Sequence, residues 1–291
     1  MGLFERPVIA MPKIIKTIKE MQETSISLAA RGERVVFVPT MGYLHDGHRA
    51  LLRVARPMGS ALVMSIFVNP AQFGPSEDLG SYPRDLDRDL RMAAEEGVDI
   101  VFTPEAAELY PEGFRTYVEV EGLSNTLCGA SRPCHFKGVA TIVLKLFNIV
   151  MPRTALFGRK DFQQLTIIER MVKDLDIPVE IVGVETVREP DGLAMSSRNS
   201  YLNADERKAA VCVPRAMEEA RRLVAGGEAR SAAVIEKVKK IIEKEPLAVI
   251  DYINVCRAED LGDAPTIDDG SMLFLAVKVG KARLIDNTRL K

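Results

Sequence analysis

The sequence predicts an α/β fold, a doubly wound parallel sheet followed by a smaller C-terminal α+β domain, on three observations. Short apolar, partly β-branched runs alternate with amphipathic helical patterns through the first two thirds of the chain. The connections between them are a few residues long, which fits right-handed βαβ units. The last third changes to charged amphipathic helices and then β-rich runs.

In chain order, a helical pattern over about 12–31 precedes the strand-like run Arg34-Val35-Val36-Phe37-Val38. A helix over about 47–58 leads to Ala61 through Val68, eight residues whose apolar character suits a parallel strand buried on both faces. A helix over 84–97 leads to Val98-Asp99-Ile100-Val101-Phe102, and helices over 138–150 and 161–174 precede Val179 through Val184. The alternation is Rossmann-like, and ligands of such sheets sit at the carboxyl ends of the strands. Residues 204–224 and 230–245 read as two helices divided at Gly226-Gly227. Ile250 to Val255, Met272 to Val279 and Ala282 to Ile285 follow as strands, with a tight turn through Val279-Gly280-Lys281. The change of character places a boundary near 187–190, dividing the chain into 1–187 and 188–291.

A length of 291 residues with 47% hydrophobic and 27% charged side chains excludes a disordered or collagen-like chain. Thirty-nine basic against 41 acidic residues, a net charge of −2, argue against nucleic-acid binding. The cysteines, Cys128, Cys134, Cys212 and Cys256, form no C-x-x-C pair, and three histidines are too few for a rich zinc site. Met1-Gly2-Leu3-Phe4-Glu5-Arg6 has neither the layout of a signal peptide nor a myristoylation pattern. No run of about 18 apolar residues is present. A cytoplasmic protein with reduced thiols and no membrane span is expected.

The most informative stretch is Pro39-Thr40-Met41-Gly42-Tyr43-Leu44-His45-Asp46-Gly47-His48, which follows a strand and opens a helix. Positions i and i+3 of a helix share a face, so His45 and His48 can address one ligand. Gly47 between them allows close approach to the backbone. Free N–H groups and positive potential at a helix N-terminus suit phosphate. The competing reading makes His45 a helix cap and His48 a satisfied core residue. Neither G-x-x-x-x-G-K-[ST] nor G-x-G-x-x-G occurs.

Phe157-Gly158-Arg159-Lys160-Asp161-Phe162-Gln163-Gln164 is a second strand-to-helix junction. Lys160 offers a mobile cation for phosphate oxygens, Asp161 a helix cap, and Gln164 a polar contact one turn on. Gly192-Leu193-Ala194-Met195-Ser196-Ser197-Arg198-Asn199, at the domain junction, places two hydroxyls and a guanidinium in one loop. It reads either as a closing phosphate clamp or as a serine pair capping the next helix.

Together these segments resemble the nucleotidyltransferase superfamily that includes class I aminoacyl-tRNA synthetases. With Phe67-Val68-Asn69-Pro70-Ala71-Gln72-Phe73, Lys145-Leu146-Phe147-Asn148-Ile149-Val150 and Thr186-Val187-Arg188-Glu189, the chain is similar over essentially its whole length to the pantoate–β-alanine ligase (pantothenate synthetase) family. One departure is Pro133-Cys134-His135-Phe136, where that family has Pro-Gly-His-Phe; a positive φ there would strain a cysteine. The resemblance implies condensation of pantoate with β-alanine at the expense of ATP, through an acyl adenylate, with AMP and pyrophosphate released. It makes 1–187 a nucleotide-binding and catalytic domain and 188–291 a lid.

Carried over, Met41, Gly42, Tyr43, Leu44, His45, Asp46, Gly47 and His48 contact ATP, as do Gly158, Arg159, Lys160, Asp161 and Val187. Met195, Ser196, Ser197 and Arg198 close over the triphosphate. His48, His45, Lys160 and Arg198 are the catalytic set, with His48 matching the family's proton donor. Gln72 and Gln164 bind pantoate. Mg²⁺ rides on the ATP phosphates and no dedicated protein metal site is expected. A homodimer is implied, for which Val139 to Met151 and a strand over Tyr117 to Val120 offer a surface, unless the former is an ordinary core helix. The rival readings are a nucleotidyltransferase acting on a phosphorylated small molecule and a synthetase-like RNA-binding protein.

Overall fold

The structure is a computed structural model that describes residues 10–75 and 77–291. The reading of Met1 to Arg6 as lacking a targeting signal lies outside the described residues.

Six parallel strands form the larger sheet: β1 (Lys13–Ile15), β2 (Val35–Thr40), β3 (Ala61–Ile66), β4 (Ile100–Phe102), β5 (Thr154–Gly158) and β6 (Glu180–Val184). Their spatial order is β1-β4-β3-β2-β5-β6. Strand β2 pairs β3 with Val36 opposite Leu62, and pairs β5 with Phe37 opposite Ala155. Successive residues of β2 point to opposite faces: Val35 and Phe37 join one apolar core, Val36 and Val38 the other. Burial on both faces is what the continuous apolar runs required.

Helix α1 (Ile18–Ala30), α6 (His135–Val150) and α7 (Phe162–Asp174) cover one face; α2 (Asp46–Ala55) and α3 (Leu86–Glu95) cover the other. Two single-turn helices, α4 (Ala106–Leu109) and α5 (Cys128–Ser131), lie in the long crossover between β4 and β5. The chain runs from β2 to β3 on one side and from β5 to β6 on the other. The switch between winding directions therefore falls between β2 and β5, at whose carboxyl ends such sheets bind ligands.

The smaller sheet is antiparallel, ordered β7 (Ala248–Arg257), β8 (Ser271–Val279), β9 (Ala282–Arg289). Helices α9 (Cys212–Ala225) and α10 (Ser231–Ile242) pack on it around a core of Val213, Met217, Val234, Val238, Leu273 and Leu275. Gly280, at φ +55°, makes the two-residue turn between β8 and β9.

Three local expectations are corrected. The pattern over 12–31 opens with strand β1, three residues that add to β4, before the helix starts at Ile18 behind its cap Thr17. The single helix expected over 204–224 is two, α8 (Ala204–Ala210) and α9. Pro214 has no N–H for the Ala210 carbonyl, and its ring collides with that carbonyl in a continuous helix. Tyr117 to Val120 is no strand; the Val118 N–H is tied to Thr141 Oγ1 on α6 (2.9 Å) instead of to a neighbouring strand. Helix α6 is a core helix, with Val139, Ala140, Val143, Leu146, Phe147 and Val150 all buried. Cys134 at its start sits at φ +67°, the left-handed conformation that favours glycine. All four cysteines are free, and among the described residues no helix is long and apolar enough to cross a membrane.

Candidate active site

The loop after β2 is held by hydrogen bonds before it reaches the histidines. Thr40 Oγ1 donates to the Ser65 carbonyl (2.7 Å) and accepts from the Gly42 N–H (3.2 Å). Gly42 sits at φ +81°, where a Cβ would lie 2.9 Å from Ile66 Cγ2. The next two amides, of Tyr43 and Leu44, both donate to the buried Asp89 carboxylate at 2.7 Å. Burial raises the Asp89 carboxyl pKa against these bonds.

Helix α2 then opens with a capping box built from histidines. His45 Nδ1 accepts the Gly47 N–H (3.2 Å), and His48 Nδ1 accepts the His45 N–H (3.2 Å). The ring centroids are 4.1 Å apart. Burial, then the nearby Lys160 charge, lowers the His45 pKa to about 4. Burial, then His45 and Lys160, holds His48 well below its ordinary value. Both rings are therefore neutral at pH 7, and a neutral imidazole whose Nδ1 accepts carries its proton on Nε2. The capping reading and the ligand reading of the H-x-G-H motif are thus compatible: Nδ1 caps the helix, and Nε2–H remains a donor in rings that line the cavity.

That cavity opens at the β2/β5 switch. Its wall includes Met41, His45, Gly47 and His48; Gln72; Gly158, Lys160, Asp161 and Gln164; Val187; and Ser196, Ser197 and Arg198. Six residues named from the sequence have side chains placed elsewhere or none. Gly42 and Leu44 are buried, Leu44 within the core beneath α2. The Tyr43 ring lies under Arg88, and its carbonyl accepts from Ser197 Oγ (3.4 Å). Asp46 is exposed beside Arg49 (3.5 Å), Arg159 pairs with Glu185 (3.1 Å), and Met195 borders the neighbouring groove with Asp46 and Arg88.

Asp161 occupies the position before α7 without capping it; its carboxylate lies 3.4 Å from Lys160 Nζ. Ser196 caps only the 3₁₀ turn Ser197–Tyr201, accepting from the Arg198 N–H, while Asn203 caps α8. The Arg198 guanidinium is bound by Asp78 through two hydrogen bonds of 3.0 and 2.8 Å. Burial opposes ionisation of Asp78, but Arg198 holds its carboxyl below the ordinary value.

Wall residues that carried no assignment from the sequence include Asn69, Tyr82, Arg132, His135 and Phe67. His135 lies 2.8 Å from the Gln72 carbonyl through Nδ1 and 3.0 Å from Arg132 through Nε2. Arg132 always donates, so His135 Nδ1–H is the donor to Gln72. Glu77 pairs with Arg132 (2.9 Å at Nε). Only the Phe67–Phe73 motif, which holds Phe67 and Asn69 beside Gln72, and the Pro133-Cys134-His135-Phe136 departure, which holds His135, signalled any of these.

A parallel α/β sheet with H-x-G-H at its switch point, facing a lysine and a Ser-Ser-Arg loop across one cavity, defines the nucleotidyltransferase class of nucleotide-using enzymes. Within it, residues 13–289 match the family model described as pantoate–β-alanine ligase. The chain is 54% identical to the pantothenate synthetase of Syntrophotalea carbinolica over 94% of its own length and 97% of the relative's. It is similar to the crystal structure of pantothenate synthetase from Thermus thermophilus, with a TM-score of 0.90 and 44% identity over 96% of this chain and 99% of that one. It is also similar to the pantoate–β-alanine ligase of Francisella tularensis complexed with beta-gamma ATP and β-alanine (TM-score 0.79, 33% identity, 96% and 98% coverage). The chain belongs to the pantoate–β-alanine ligase family.

Proposed function

We propose that the enzyme condenses pantoate with β-alanine, cleaving ATP to AMP and pyrophosphate. A carboxylate cannot be aminated directly because oxide is a poor leaving group. The pantoate carboxylate attacks the ATP α-phosphorus, pyrophosphate leaves, and the acyl adenylate forms. The β-alanine amine then attacks the acyl carbon, loses a proton and expels AMP. Neither step needs a protein nucleophile, so the chain contributes positioning and electrostatic stabilisation.

The observation that carries this reading is the pairing of His45 and His48 at the start of α2 with Lys160 and Ser196 to Arg198 on the same cavity wall. In it, His45 and His48 donate to the triphosphate, His48 serving as proton donor, and Lys160 and Arg198 balance the charge that moves onto the leaving pyrophosphate. Met41 to His48, Gly158 to Asp161, Val187 and Met195 to Arg198 hold ATP, with Gly42, Tyr43, Leu44, Asp46, Arg159 and Met195 acting through their backbones alone. Gln72 and Gln164 hold pantoate. Arg198 exchanges Asp78 for phosphate when ATP binds. Residues 1–187 are the catalytic domain and 188–291 the lid. Among the described residues no group of three or more His, Cys, Asp or Glu is placed to hold a metal; Mg²⁺ would be carried by the ATP phosphates and water, and no step is assigned to it. A cytoplasmic homodimer completes the reading, consistent with four free thiols.

Pantoate-dependent exchange of labelled pyrophosphate into ATP, without β-alanine, tests the reading. Folded enzyme that binds ATP but gives no exchange would overturn it. Free AMP stoichiometric with product separates a ligase from a nucleotidyltransferase that keeps the nucleotidyl group on its product.

A further inference from the structure

Gln72 reaches the cavity wall as a primary amide, which presents donors or an acceptor according to how it is turned. The orientation is settled by groups that have no choice of role. Asn69 Nδ2 donates to the Gly138 carbonyl (3.1 Å), which can only accept. Asn69 Oδ1 takes the Ala71 N–H (3.3 Å), which can only donate. Asn69 is thereby oriented, and its Nδ2 also donates to Gln72 Oε1 (3.1 Å). Gln72 thus has its carbonyl engaged by Asn69 and its NH₂ turned toward Met41 Sδ (2.9 Å) and the cavity.

The shortest bond in this network comes from outside the cavity wall. The Tyr110 hydroxyl donates to Asn69 Oδ1 at 2.8 Å. The Ala71 bond to the same oxygen is half an ångström longer, so Tyr110 is the stronger restraint on the amide. Its ring is held independently, edge-on to Phe114 with centroids 5.0 Å apart and 6.5 Å from Phe67. Burial raises the phenol pKa, which keeps the hydroxyl a donor.

We propose that Tyr110 is a positioning residue for the acid substrate: through Asn69 it holds the Gln72 NH₂ toward the cavity, so that this wall recognises an acceptor oxygen, carboxylate or hydroxyl, on that substrate. The inference rests on the assignment of Gln72 to pantoate. Tyr110 acts through Asn69, and Gln72 alone of the three network members touches the acid.

Tyr110→Phe removes the hydroxyl and keeps the ring contacts. In full-length enzyme, pyrophosphate exchange measured against pantoate and ATP should show the half-saturating pantoate concentration raised about fivefold, the effect of one neutral hydrogen bond. The ATP dependence should stay within about twofold and the melting temperature within about 2 °C. An unchanged pantoate dependence, or parallel shifts for both substrates, overturns the positioning role. Absence of pantoate-dependent exchange in the unsubstituted enzyme overturns the parent reading and this one with it. Normal exchange that Tyr110→Phe leaves untouched overturns this one alone.

Discussion

Under the proposed function His45 has two roles carried by different ring nitrogens, Nδ1 capping α2 and Nε2–H donating to ATP, and one substitution separates them. Asparagine is among the best helix caps and its side-chain oxygen can replace Nδ1, but nothing replaces Nε2–H. His45→Asn should therefore change thermal stability by no more than about 0.5 kcal/mol while lowering adenylate formation by roughly 10²-fold, read by melting and by exchange. Equal losses in both would mean that the ring serves the helix only. The same histidines make stability depend on pH. His45 and His135 have folded pKa values of about 4, below the ordinary 6.5, and His48 also lies well below it. Above pH 6.5 both folded and unfolded chains are neutral at these positions, so they contribute no pH dependence. As the pH falls below 6.5 the unfolded chain takes up protons that the folded chain refuses, and stability is lost toward pH 4. Urea midpoints should decline steadily from pH 7 to pH 5, and His45→Asn should make that decline shallower.

Helix α6 starts at a residue poorly suited to its conformation. Cys134 is exposed, at φ +67°, with no capping hydrogen bond from its side chain. An L-residue costs about 1 kcal/mol or more in this region where glycine costs little, partly offset by the unfolded-state entropy of glycine. Cys134→Gly should raise the melting temperature by about 1–3 °C, with exchange activity unchanged. No gain would show that the turn relaxes around the cysteine. At this level the sequence was most readable where an element is long and local. The runs in β2 and β3 announce strands because both faces are buried, and H-x-G-H announces a site because the whole motif lies in one turn. Strand β1 was hidden because three residues carry no period and exist as a strand only through β4. Tyr117 to Val120 alternates like a strand but has no partner edge. The partners Asp78 of Arg198, Glu77 of Arg132 and Tyr110 of Asn69 lie 120, 55 and 41 residues away in the chain. No local pattern encodes such pairings; the sheet order creates them.

The two sheets meet at the loop that carries Lys160. Arg188, just past β6, forks onto Asp286 of β9 with bonds of 2.6 and 3.0 Å, and the Asp286 side chain is fully buried. The next residue, Asn287, donates from Nδ2 to the Arg159 carbonyl (3.0 Å) and the Lys160 carbonyl (2.8 Å). Phe162, at the start of α7, packs on Phe274 of β8 with centroids 5.9 Å apart. Strand β9 thus fixes the backbone from which Lys160 projects, so under the proposed function β9 acts on the reaction without lending it a side chain of its own. Asn287→Leu keeps the volume and leaves two part-buried carbonyls without this donor, a loss of about 1–3 kcal/mol in stability. The Lys160 ammonium would then be held less well over the leaving phosphates, and electrostatic catalysis depends on a charge placed in advance. Exchange should fall by about tenfold at saturating ATP and pantoate, at temperatures well below the lowered melting point. A variant with the expected loss of stability but undiminished exchange would show that β9 supports the fold alone, and that the placement of Lys160 is set entirely by β5 and α7.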